Sequence, residues 1–243
     1  MTFKDESSKI PFMNRLNRMA VLWLAGWCVA VAAPAALCAG TAHDYAKWEK
    51  EIAAYERMDR TNPPPKGAVL FTGSSTIRKW TTLAEDLPGW RVLNRGFGGS
   101  EIADATYFAP RLIFPCQPRM VVLRAGGNDL HNGKSVEEVF ADYKEFAGTV
   151  HAALPGAQIV YLALSPSVAR WEQHEKEKAL NQLVEQYSQQ APYLKYIEDY
   201  DVSLGPDGKA RPELFVADKL HFNAAGYQLL AARVRAFLAR NSP

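Results

Sequence analysis

The chain has 243 residues, of which 48% are hydrophobic, 22% charged and 11% aromatic, proportions of a globular protein rather than of a disordered chain or a multi-span membrane protein. That length suffices for one α/β domain with a full core and would cramp two. The formal net charge of +2 resides in the N-terminal stretch that carries Lys4, Lys9, Arg15 and Arg18 against Asp5 and Glu6; the remainder is formally neutral, which argues against nucleic acid as the main partner.

Residues 19–39 form a charge-free, mostly apolar run, preceded by Arg15 and Arg18 and followed by small residues up to Ala42. This is the pattern of a secretory signal, so residues 1–42 are expected to be signal peptide and leader. Export to the periplasm or the exterior follows, with no stable membrane insertion after cleavage. Met13 is the favoured start, because it leaves the short basic leader 14–18, and cleavage after Ala39 or after Ala42 satisfies the small-residue rule equally. The alternative is an uncleaved tether, since the run is just long enough to span a bilayer; Pro34 and the many alanines favour cleavage. Leu37 before Cys38 argues against a lipoprotein signal. Cys28 and Cys38 fall in this region, which leaves Cys116 as the sole cysteine of the mature chain and excludes an intramolecular disulfide. With Phe114, Pro115 and Pro118 around it, Cys116 reads as an inert loop residue.

In residues 44–60, Tyr45, Trp48, Ile52, Tyr55 and Met58 recur at helical spacing behind Asp44 as N-cap. Residues 61–67 contain three consecutive prolines and serve as a stiff connector, so 43–67 form an N-terminal helix and linker ahead of a domain at 68–243. Short apolar runs at 68–71, 92–94, 120–123, 158–163 and 194–197 then read as five buried strands. Between them, residues 76–83, 101–113, 136–153 and 171–190 read as helices. Asn223 caps a last helix through 239, with Tyr227, Leu230, Val234 and Phe237 on one face. This alternation predicts a parallel five-stranded sheet covered on both sides, a three-layer α/β/α sandwich of flavodoxin-like type. Ligands of such sheets gather at the carboxyl ends of the strands.

Four segments carry residues that a packed core does not request. In Gly73-Ser74-Ser75 a strand runs through glycine into two serines at a helix start, where free backbone N–H groups favour a developing anion; a plain N-cap is the bland alternative. Gly96-Phe97-Gly98-Gly99 lets backbone amides approach a ligand closely, but Glu101 stands where a dinucleotide fingerprint needs its third glycine. Asn128 follows the strand at 120–123; a phosphate loop read into Gly127 and Gly133-Lys134-Ser135 is one residue too long. Finally, Asp218 precedes His221 by three residues, close enough in a compact loop to bond one ring nitrogen and leave the other free as a base. His43, His131 (read as a loop residue), His151 and His174 make no metal-ligand spacing, so no metal or other cofactor is expected.

Taken in order, these segments resemble the four blocks of the SGNH (GDSL-like) hydrolases, over residues 68–239 and most nearly in the branch related to platelet-activating-factor acetylhydrolase subunits. The resemblance implies Ser75 as nucleophile, His221 as its base and Asp218 as the partner of His221. It also implies an oxyanion hole from the backbone N–H groups of Ser75 and Gly99 and the side-chain amide of Asn128. The family's usual Asp of Gly-Asp-Ser is Ser74 here; Ser75 keeps the position relative to Gly73 that the family uses. Phe97, Trp80, Arg170 and Trp171 are candidate substrate contacts. Export and the absence of a long apolar lid favour short acyl esters, such as acetyl groups on glycans or small molecules. A lysophospholipase or thioesterase, or a non-catalytic carbohydrate-binding protein on the same fold, are the competing readings.

Overall fold

Five aliphatic runs pair side by side in the computed structural model, which describes residues 43–241. The expected signal and leader, with Met13, Cys28 and Cys38, lie outside the described residues. The strands are β1 (Val69–Gly73), β2 (Val92–Gly96), β3 (Met120–Arg124), β4 (Gln158–Leu162) and β5 (Leu194–Ile197). Their order is β2-β1-β3-β4-β5, and every pairing is parallel. The chain steps outward from β1 to β2 and then crosses back to β3, so the order reverses between β1 and β3. The crevice beyond their carboxyl ends is where such sheets bind ligands.

Because side chains alternate along a strand, each strand feeds both faces. Leu70, Val121, Leu123, Ile159 and Tyr161 point into one core layer with α1 (Glu49–Thr61), α4 (Ile102–Leu112), α6 (Val136–Ala153) and α7 (His174–Ser188). Val69, Phe71, Met120, Val122, Val160 and Leu162 point into the other, against Leu230, Val234, Phe237 and Leu238 of α8 (Ala224–Asn241). Burial on both faces explains why the strands read as continuous apolar runs. The three-layer architecture is as expected.

Helix ends follow their caps. Ser135 and Glu138 form a reciprocal capping box at the start of α6, and the Asn223 side chain accepts from the N–H of Gly226 at 3.1 Å to open α8. Asp44 accepts from the N–H of Ala46, but a 3₁₀ turn at Ala46–Trp48 intervenes before α1. A similar turn, Trp171–Gln173, leads into α7.

Four expectations are corrected. Residues 76–83 are not one helix but two short ones, α2 (Ser75–Arg78) and α3 (Leu83–Asp86). The bend between them turns Trp80 inward, where it is fully buried, donates its indole N–H to Asp86 at 2.7 Å and packs on Phe71 and Tyr227. Trp80 is therefore core rather than a substrate contact. His131 ends a short helix, α5 (Gly127–His131), instead of lying in a loop. Cys116 sits in a 3₁₀ turn, fully buried, with its S–H donated to the carbonyl of Leu112.

Candidate active site

At the carboxyl end of β1 the backbone turns at Gly73, with φ of +119°. A Cβ there would run into the carbonyl of Arg124 on β3, so only glycine lets the strand bend this tightly against its neighbour. The N–H of Ser74 donates to that carbonyl at 3.1 Å, and Ser75 opens α2 with its Oγ at the crevice. The Tyr227 hydroxyl, donating to the carbonyl of Thr76 at 2.9 Å, fastens this turn to α8.

The other half of the site comes from the loop before α8. Lys219 takes the left-handed conformation, φ +55°, rare for a residue with a side chain. The turn is held by three bonds: Lys219 N–H to Val216 O, Val216 N–H to His221 O, and Ala169 N–H to Lys219 O. Within it the Oδ1 of Asp218 accepts the N–H groups of Leu220 and His221, each at 2.9 Å. Oδ2 of Asp218 lies 2.7 Å from His221 Nδ1, and His221 Nε2 lies 2.9 Å from Ser75 Oγ. The ring and the two backbone donors hold the Asp218 carboxyl well below the usual carboxylate range. The imidazole is largely covered while the carboxylate stays about half exposed.

Asn128, in α5 just past β3, donates Nδ2 to the carbonyl of Ser100 at 2.9 Å and accepts at Oδ1 from Arg170 Nη1 at 2.9 Å. A small cleft of about 60 Å³ joins these parts, lined among others by Ser75, His221, Asn128, Arg170, Ser165 and Glu177. Gly99 does not line it. With φ of +79° it turns the loop after β2 so that the next residue, Ser100, meets Asn128, and a Cβ there would press on Trp48.

The expected substrate contacts divide. Arg170 lines the cleft. Trp171 instead stacks on His174 and borders a neighbouring depression with Val168, Lys209 and Ala210. Phe97 is fully buried, edge-on to Trp48 and Phe108, a correction with a clear cause. Its N–H donates to the carbonyl of Gly73, which extends the strand ladder one residue into the glycine loop and sends the ring into the core.

Several site residues had not been singled out. Arg124, buried at the end of β3, pairs with Asp199 at 2.7 Å and donates to Ser165 Oγ and to the carbonyl of Ala163. Asp129 accepts the N–H of Ile102 and pairs with Lys134, tying α4 to α5; burial raises its carboxyl to about 6. Glu177 accepts from Gln173 at 2.7 Å, and burial pushes its carboxyl up to about 7. Glu177 was detectable in the sequence, because it shares the helical face of Leu180 and Val184, where an acidic residue breaks the pattern.

A five-stranded parallel sheet covered on both faces by helices, with a serine–imidazole contact at its switch point, has the architecture of a three-layer α/β/α hydrolase. Residues 65–229 match the GDSL-like lipase/acylhydrolase family, and the chain belongs to that family; it is an ester-hydrolysing serine hydrolase. No match was found among curated protein sequences. Among solved structures, a Streptococcus pneumonia protein provisionally described as a platelet activating factor is similar at 20% identity, TM-score 0.70, over 80% of this chain and 94% of that one. A GDSL-like lipase from Bacteroides thetaiotaomicron is similar at 18% identity, TM-score 0.64, over 81% and 98%. An acetylxylan esterase from Geobacillus stearothermophilus is similar at 17% identity, TM-score 0.58, over 72% and 94%. These likenesses are of fold, and with the family match they bear out the SGNH resemblance. Among the described residues no helix is long and apolar enough to cross a membrane.

Proposed function

We propose that the chain hydrolyses short acyl esters, acetyl esters of glycans or small molecules, through Ser75, His221 and Asp218. One observation carries this reading: a hydroxyl 2.9 Å from an imidazole nitrogen whose opposite nitrogen meets a carboxylate at 2.7 Å. With Nδ1–H held by Asp218, Nε2 is left as the acceptor, so His221 takes the Ser75 proton as Oγ attacks the ester carbonyl. His221 then returns the proton to the departing alkoxide, leaving an acyl-enzyme. Water attacks the acyl carbon with His221 again as base, and the carboxylic acid leaves as Oγ is reprotonated.

Negative charge gathers on the carbonyl oxygen in both tetrahedral stages. The N–H of Ser75, the first residue of α2 and so without an intrahelical acceptor, the N–H of Gly99 and the Asn128 amide are its proposed donors. Gly99 stands outside the cleft lining and joins the set by its adjacency to Ser100, which is bonded to Asn128. A cleft of about 60 Å³ has room for on the order of four water-sized groups, which favours an acetyl-sized acyl group. The acetylxylan esterase among the structural neighbours supports a glycan ester as one such substrate. The apolar run at 19–39 supports export as the setting.

The test is p-nitrophenyl acetate hydrolysis and fluorophosphonate labelling of the wild type beside Ser75→Ala and Ser74→Ala. Ser75→Ala is expected to abolish labelling and lower turnover by about 10³-fold or more, with Ser74→Ala keeping both. The reverse ranking would move the nucleophile to Ser74, and an unlabelled wild type would favour a binding protein.

A further inference from the structure

Arg170, in the loop between β4 and α7, is a half-buried cation in the cleft that forms no ion pair with a carboxylate among the described residues. The buried arginines differ: Arg95 is paired with Asp59 and Arg124 with Asp199. Burial lowers the Arg170 pKa, and the Glu177 carboxyl, which lines the same cleft without direct contact, opposes that shift. The Arg170 guanidinium is spent instead on the block that carries Asn128. Nη1 donates to Asn128 Oδ1 at 2.9 Å and to the carbonyl of Gly127 at 3.3 Å, and the Ser167 hydroxyl accepts the Arg170 N–H to fix the loop.

These contacts determine which way the Asn128 amide faces. Turned by half a revolution, it would set donor against donor at Arg170 and acceptor against acceptor at the carbonyl of Ser100. In the observed orientation one Nδ2 hydrogen goes to Ser100 at 2.9 Å. The second has no acceptor among the described residues, and Asn128 lines the cleft together with Ser75 and His221.

We propose that Arg170 is a positioning residue for the hydrolysis: it locks the Asn128 amide with Nδ2 available to the reacting carbonyl, and its guanidinium adds positive charge beside the oxyanion formed there. This rests on the esterase reading above. Because the oxyanion exists only in the tetrahedral stages, the contribution falls on kcat rather than on substrate binding.

The experiment is a double-mutant cycle on p-nitrophenyl acetate with Arg170→Met, Asn128→Ala and the double variant, together with Arg170→Lys and a thermal melt of each. Arg170→Met is expected to lower kcat about 10- to 100-fold with KM within about threefold. In the Asn128→Ala background the same change costs less than about threefold, because its target is gone. Arg170→Lys, which keeps the charge and loses the planar fork, recovers part of the loss. Losses that multiply independently, or a loss confined to KM, overturn the inference. Should Arg170→Met not fold, the cycle run with Arg170→Lys decides by the same criterion. Hydrolysis that survives Ser75→Ala unchanged sinks the esterase reading itself. Ser75-dependent hydrolysis with uncoupled Arg170 and Asn128 sinks only the role of Arg170.

Discussion

Ser75 Oγ and His221 Nε2 lie 2.9 Å apart although 146 positions separate them in the chain. Neither is held by the other. Ser75 is placed by the Gly73 turn against β3, and His221 by the Asp218 turn that Lys219 closes with a left-handed backbone. Two independently anchored turns meeting at hydrogen-bond distance at a sheet's switch point are what the proposed nucleophile and base require.

Asp218→Asn separates the two jobs of Asp218. Asparagine keeps an oxygen for the N–H groups of Leu220 and His221, so the turn should survive. Its amide cannot accept from Nδ1–H while also presenting a donor there, which favours the imidazole tautomer that no longer accepts at Nε2. A loss in kcat of about 10²- to 10⁴-fold is expected, toward the lower end because the carboxylate is 45% exposed. Esterase assays beside a circular dichroism spectrum check this; full activity would remove Asp218 from the machinery.

Asn128→Ala removes one candidate oxyanion donor and the bond to Ser100. Turnover on p-nitrophenyl acetate should fall about 10²- to 10³-fold while the fold survives. A loss under about threefold would exclude the amide from the reaction.

The strands, the long helices α6 and α8 and the bond of Asp218 to His221 were legible in the sequence, because each leaves a local mark; the meeting of Ser75 with His221, 146 positions apart, was implied by the family resemblance alone. An apolar run bounded by turns makes a buried parallel strand, and a carboxylate three residues from an imidazole can close a short loop. What it hid depends on distant partners. Phe97 looked exposed in a glycine-rich loop, yet its bond to Gly73 is a strand contact. Trp80 fitted a helical period, but the burial available beside Phe71 and Tyr227 broke the helix at that point. Arg124 and Asp199 stand 75 positions apart, and nothing local in either predicts their buried pairing.

Acyl length is expected to follow the size of the cleft, about 60 Å³. Across p-nitrophenyl esters from acetate to octanoate, kcat/KM should peak at two or three carbons and drop by about tenfold or more at the long end, since each misfit methylene is worth roughly 1–3 kcal/mol. A maximum at long chains would redirect the assignment toward lysophospholipids or thioesters.

Glu177 gives a signature in stability rather than in rate. Its carboxyl, raised by burial to about 7 from an ordinary value of 4.5, binds a proton in the folded state across a range where the unfolded chain has released it. Stability contributed by the neutral form is therefore fully present below about pH 4.5, is lost as the pH rises toward 7, and is absent above it. Glu177→Gln keeps an acceptor for Gln173 and cannot ionise. The variant should match the wild type near pH 4.5 and exceed it by up to about 3 kcal/mol at pH 8. Urea denaturation of both proteins at pH 4.5, 6 and 8 measures the difference. A gap that stays constant across the three would show that the carboxyl does not titrate in this window, and that its buried oxygen is satisfied by a partner such as an ordered water.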